Sequence, residues 1–114
     1  MKKFVGSIIV FGLLTGGVSK EIELPKPNGD KGQYYLIKAD KKKSNFITIH
    51  KRVGVYDTLF LKTEISCSKN QVKVLGESYE SADRIKPYND SQWVDVVDGS
   101  SKSYLVNYIC KNYK

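Results

Sequence analysis

Histidine occurs once in this 114-residue chain, at His50, so no second imidazole is at hand for a metal site or a paired acid–base centre. The G-x-S-x-G, H-E-x-x-H and P-loop spacings are missing too. Glu77, Glu80 and Asp83 lie close together, but in a polar stretch where carboxylates are solvated, and no glycosidase-like pair can be placed. These absences lead to the expectation of a non-enzymatic protein without a cofactor or metal. His50, followed by Lys51 and Arg52, is read as a surface residue. Long apolar runs are also scarce. The longest, Phe4 to Leu14, is interrupted by Gly6, Ser7 and Gly12 and is too short to cross a bilayer comfortably, so no transmembrane span is expected.

That same run, preceded by Lys2 and Lys3 and followed by Gly16, Gly17 and Ser19, has the layout of an export signal cleaved after Ser19. Residues 1–19 are therefore expected to be a signal peptide and the protein to reach the periplasm or the cell surface. Leu14-Thr15-Gly16 is similar to the approach to a bacterial lipoprotein cleavage site, yet Gly17 stands where the lipid-bearing cysteine is needed. Export bears on the two cysteines. In an oxidising compartment an even pair reads as a disulfide, and with only Cys67 and Cys110 a single pairing exists. A mature chain this short gains from such a staple.

Along that chain, residues 20–32 carry Pro25, Pro27, Gly29 and Gly32 and read as a flexible, polar N-terminal arm. Residues 33–114 read as a single domain. A strand is expected at about Gln33 to Ala39, a basic turn at Lys41 to Asn45, and a returning strand from Phe46 to His50 with Ile47 and Ile49 on one face and Thr48 and His50 on the other. From Thr58 to Cys67 the residues Leu59, Leu61, Thr63, Ile65 and Cys67 alternate with Phe60, Lys62, Glu64 and Ser66, a clear two-residue period. Val72 and Val74 continue the apolar face after a turn, with Lys73 pointing away and pairing continued to Tyr79. Residues 80–92 read as a loop and Trp93 to Val97 as a short strand. The period then changes. Ser100 is placed to cap a helix to about Cys110, in which Leu105, Val106, Ile109 and Cys110 share one stripe. The expected fold is α+β: an antiparallel β-sheet with a C-terminal α-helix tethered to it by the Cys67–Cys110 disulfide.

Charge points to the class of partner. Nineteen Lys and Arg against twelve Asp and Glu give a formal +7, of which Lys2 and Lys3 account for two, leaving +5 on residues 20–114. Lys41, Lys42 and Lys43 sit at one turn, and Lys51, Arg52, Lys62, Lys69 and Lys73 fall on or beside the middle strands. Such a field attracts acidic protein segments, sulfated polysaccharides or phospholipid head groups, and equally serves to keep a domain soluble. Eight tyrosines add amphipathic area suited to interfaces. Export removes nucleic acid from the expected partners.

The stretch from Leu61 to Val74, followed by Trp93, Ser100 and the ending Tyr108-Ile109-Cys110-Lys111-Asn112-Tyr113, resembles the bacterial surface-adhesin protein E family. The resemblance runs in order over residues 33–114. It implies a helix fastened to the concave side of a sheet, a surface protein able to form a homodimer, and binding of host extracellular-matrix or serum proteins. The family's adhesive segment falls here on Lys62 and on Lys69 to Lys73, with Lys51 and Arg52 beside it, and only the basic character carries over. Adhesins of this kind are lipid-anchored, from which Gly17 departs. Two other roles fit the same stapled fold. One is a periplasmic envelope or inhibitor-like protein that binds another bacterial protein. The other is a carrier of a small apolar or porphyrin-like ligand, held between sheet and helix or at a dimer seam.

Overall fold

The computed structural model describes residues 20–113, and the expected signal peptide, residues 1–19, lies outside them. The chain forms strands β1 (Ile22–Leu24), β2 (Gln33–Lys42), β3 (Asn45–Val53), β4 (Thr58–Ser66), β5 (Gln71–Ser78), β6 (Lys86–Pro87) and β7 (Trp93–Asp95), then helix α1 (Ser101–Asn112). All strand pairings are antiparallel. The order is β1-β2-β3-β4-β5-β6, with β7 also pairing β5. This is the expected α+β arrangement, and Cys67 at the end of β4 is bonded to Cys110 on α1 with their Cα atoms 5.8 Å apart.

The strands run longer than the apolar pattern alone indicates. β2 and β3 continue through the lysines to a tight turn at Lys43 and Ser44, where Lys43 adopts the left-handed conformation (φ 57°). Residues 20–32, expected as a flexible arm, are instead tied down. Ile22–Leu24 pair with Tyr34–Leu36, and Leu24 is buried in the core. The expected loop 80–92 contains a short 3₁₀ turn, Ala82–Arg84, and the two residues of β6. β6 approaches Gly76 closely, with its carbonyl at Lys86 occupying the space a side chain on Gly76 would need.

The helix starts where capping chemistry places it. The Ser100 hydroxyl accepts a hydrogen bond from the Ser103 backbone N–H at 3.2 Å, satisfying one of the orphan donors of the first turn. Leu105, Val106 and Ile109 then point down onto Leu24, Tyr34, Leu36, Phe46, Ile65 and Val72, and together these residues form the core. Tyr113 closes the far end, its ring 6.3 Å from that of Phe46.

Register decides which face of β3 the helix covers. Phe46 lies opposite Ile65, Thr48 opposite Thr63, and His50 between Leu36 and Leu61. The Phe-Thr-His face is therefore beneath the helix, and Ile47 and Ile49 are on the open side. His50 is 4% exposed, which corrects its reading as a surface residue. Its basic neighbours misled for two reasons: Lys51, next along the strand, points to the opposite face, and Arg52, on the same face, is matched by Asp30 and Tyr34 rather than left in water.

Candidate docking face of the sheet

β3 is apolar on both faces. Against the helix it presents Phe46, and on the open face Ile47 and Ile49 remain half-buried without a covering layer. Beside them on β4 stands the exposed Lys62, opposite Ile49 in register. Two shallow grooves meet at this pair. The first, about 270 Å³, has Ile47 and Ile49 as its floor and Lys38, Lys42 and Lys62 around its rim; Lys41 also borders it, but its ammonium lies over the Phe46 ring on the helix side. The second, about 250 Å³, runs from Ile49 and Lys62 to Leu75, Ile85 and Pro87. Together they make an apolar track framed by ammonium groups. Asp40 also borders it and is engaged by Lys38 at 3.3 Å.

The five basic residues singled out from the sequence do not form one patch. Lys51, Lys62 and Lys73 lie on the open face. Lys51, however, is held by Glu21 at 2.8 Å and lies over the Tyr35 ring, and Lys73 packs over the Trp93 ring at 5.3 Å from its centroid. Lys69 is exposed in the β4–β5 turn, away from the grooves. Between Lys62 and Lys73 the open face carries Glu64, largely buried, which accepts from the Asn45 side-chain amide at 2.9 Å and lies 4.0 Å from Lys42. Lys62 is thus the one of the five that faces the apolar track, and the structure brings Lys38 and Lys42 to it from β2.

Arg52 has a different task. It pairs with Tyr34 across β2 and β3 on the helix side, where its guanidinium meets Asp30 of the arm at 2.8 Å and its Nε donates to the Tyr34 hydroxyl at 3.1 Å. Tyr34 donates in turn to Asp30 at 2.7 Å, and the Gly32 N–H donates to the same carboxylate at 2.8 Å. These donors, Tyr34 foremost, hold the Asp30 carboxyl well below the usual carboxylate range. Burial, then the neighbouring Asp30, pushes the Tyr34 hydroxyl up. Lys26 completes the clasp by donating to the carbonyls of Asp30 and Gly32. Arg52 locks the arm to the sheet and is not free for a partner.

A roomier cavity, about 670 Å³, lies elsewhere, around Glu77, Tyr79, Glu80, Arg84 and Tyr88. Its charges are mixed and already matched: Arg84 pairs with Glu80 at 3.6 Å, and the Tyr88 hydroxyl donates to Glu77, which pushes that phenol up to about 12. Size alone does not give it an attraction for a ligand of one sign. Among the described residues no group of three His, Cys, Asp or Glu side chains is placed to hold a metal ion, and no helix is long and apolar enough to cross a membrane.

Sequence reasoning missed Lys38, Ile47, Ile49, Leu75 and Ile85 as parts of one surface. The available signal was the pair Ile47 and Ile49 on the face of β3 opposite Phe46, which calls for a covering layer on each side where the described residues supply one helix. Comparison with protein-family models, curated proteins and solved structures finds no match for this chain.

Proposed function

We propose that the protein is an exported, non-enzymatic binding module of adhesin type. It recognises a host extracellular-matrix or serum protein by holding an acidic segment of it against the open sheet face. The observation that carries this reading is the Ile47–Ile49 track, uncovered among the described residues, with Lys38, Lys42 and Lys62 around it. Ammonium groups on a solvent-facing rim attract carboxylates over roughly a Debye length, about 8 Å at physiological salt, and the apolar floor then supplies contact area. The disulfide supports residence in an oxidising compartment and fixes the helix, so the open face is presented by a rigid sheet.

The test is biosensor binding of the oxidised protein to a panel of purified host matrix and serum glycoproteins across a salt series. Saturable binding that weakens with salt, and that falls about tenfold or more in a Lys42→Glu/Lys62→Glu variant while Lys69→Glu binds as the parent, is the expected result. Equal binding by the double variant refutes the site. Absence of any host ligand, together with tight binding to a single purified envelope protein of the producing organism, refutes the adhesin reading in favour of the inhibitor-like one.

A further inference from the structure

The two borders of the sheet are unequal. On one side β5 is covered twice: β7 pairs with Gln71–Lys73 and β6 with Gly76–Glu77, and the Tyr88 N–H donates to the Leu75 carbonyl between them. On the other side β1 pairs with Tyr34–Leu36 alone, although β2 continues to Lys42. Pairing stops at Ile22, and Glu21 turns its carboxylate to Lys51 on β3. Among the described residues, Lys38–Lys42 therefore have a strand neighbour only on the β3 side. A backbone edge of this kind is a template for an added strand.

Charge indicates what can fill it. Lys38, Asp40 and Lys42 point to the open face, beside the groove floored by Ile47 and Ile49, and all three are exposed. A second copy of the chain, paired antiparallel over the full length of this stretch, would place Lys38 opposite Lys42 and Asp40 opposite Asp40. Like charges directly opposite in a ladder are destabilising. An extended segment with carboxylates four residues apart and a neutral hydroxyl between them meets Lys38, Asp40 and Lys42 with favourable neighbours instead. Its intervening side chains would stand beside Ala39 and Lys41. A bulge between Leu36 and Lys38 separates this stretch from the part of the edge that β1 occupies, so a new strand can pair without displacing β1.

We infer that the free edge of β2, Lys38–Lys42, takes an extended acidic segment of a protein partner as an added β-strand. This rests on the binding-module reading above and specifies how the partner is held. Main-chain hydrogen bonds to the edge supply affinity, and the i, i+4 carboxylates supply selection.

The experiment titrates the isotopically labelled, oxidised protein with a blocked heptapeptide, Thr-Glu-Val-Thr-Val-Glu-Thr, and reads amide shifts and hydrogen exchange by NMR. The expected result is saturable binding with shifts across residues 38–42 and slowed exchange at those of their amides that point away from β3, the alternate ones being bonded to β3 already. A peptide with both Glu replaced by Lys should bind at least about fivefold more weakly, as two opposed-charge pairs become like-charge pairs. A peptide N-methylated on the amides facing the edge should protect none of these positions. Shifts confined to Ile47, Ile49 and Lys62, with exchange at 38–42 unchanged, overturn the inference while leaving the face-binding function intact. Slow exchange, without peptide, at the amides of 38–42 that point away from β3, together with a dimer mass by sedimentation, overturns it in favour of a second copy. Equal binding of the N-methylated peptide, or no binding of any peptide, also overturns it. Strand addition by the acidic peptide with no host glycoprotein bound would instead sink the proposed function.

Discussion

His50 makes stability depend on mild acid. It is the chain's only histidine, it lies between Leu36 and Leu61 under the helix, and its Nδ1 has no hydrogen-bond partner. Burial first, then the nearby Lys102 ammonium, pushes it down to about 4 from the ordinary 6.5. The folded chain thus keeps the ring neutral where the unfolded chain protonates it. The unfolded state binds the extra proton between these two values, so stability is fully present above pH 6.5 and is lost as pH falls toward 4. Between pH 7.5 and 4.5 the linkage amounts to roughly 2–3 kcal/mol, a large share of a small domain's stability. Urea unfolding at the two pH values measures it. Because carboxylates contribute their own slope over this range, the quantity to compare is the difference between the parent and a His50→Leu variant, which should stay folded and lose roughly 2–3 kcal/mol less on acidification. The ring's own NMR titration gives a second reading, with its midpoint expected well below 6. A midpoint near 6.5, or a parent and variant that lose the same stability within about 0.5 kcal/mol, would refute the burial argument.

Two further outcomes follow from the same geometry. Cys67 and Cys110 are 43 positions apart, and closing a loop of that length stabilises by about 4 kcal/mol on the chain-entropy model, so Cys110→Ser should lower the melting midpoint by roughly 15–30 °C; a calorimetric shift of a degree or two under oxidising conditions would contradict the staple. Arg52→Ala should release the arm without unfolding the domain: limited trypsin digestion is expected to cut after Lys31 much faster than in the parent, because the Asp30 clasp that shelters this backbone loses its cation, whereas Lys26 is protected in both by the proline that follows it. Partner binding should be unchanged in that variant, since Arg52 is on the helix side of the sheet, and a loss of binding in an otherwise folded protein would return Arg52 to the candidate site.

Much of the architecture was legible in the residues themselves. The alternation from Leu59 to Cys67 fixed the inward face of β4, the change of period after Ser100 located the helix and its cap, and two cysteines admitted one pairing. Each of these signals is local, or is exhausted by counting, so no knowledge of packing was needed. The candidate site was legible only in part. That lysines dominate the middle strands is plain from composition, but which of them act together is a question of register. Pairing put Thr48 and His50 under the helix and Ile47 and Ile49 outside, drew Lys38 and Lys42 toward Lys62, and set Glu64 between Lys62 and Lys73. The arm looked free because its prolines and glycines carry no strand pattern, yet Asp30 finds, besides nearby Tyr34, Arg52, which is 22 residues away in the chain. Sequence by itself determined the elements, the staple and the excess of positive charge, since these depend on local periodicity and residue count. Only the tertiary structure decided which face of β3 stays open and which cations remain unengaged there, because both depend on partners brought together from other strands.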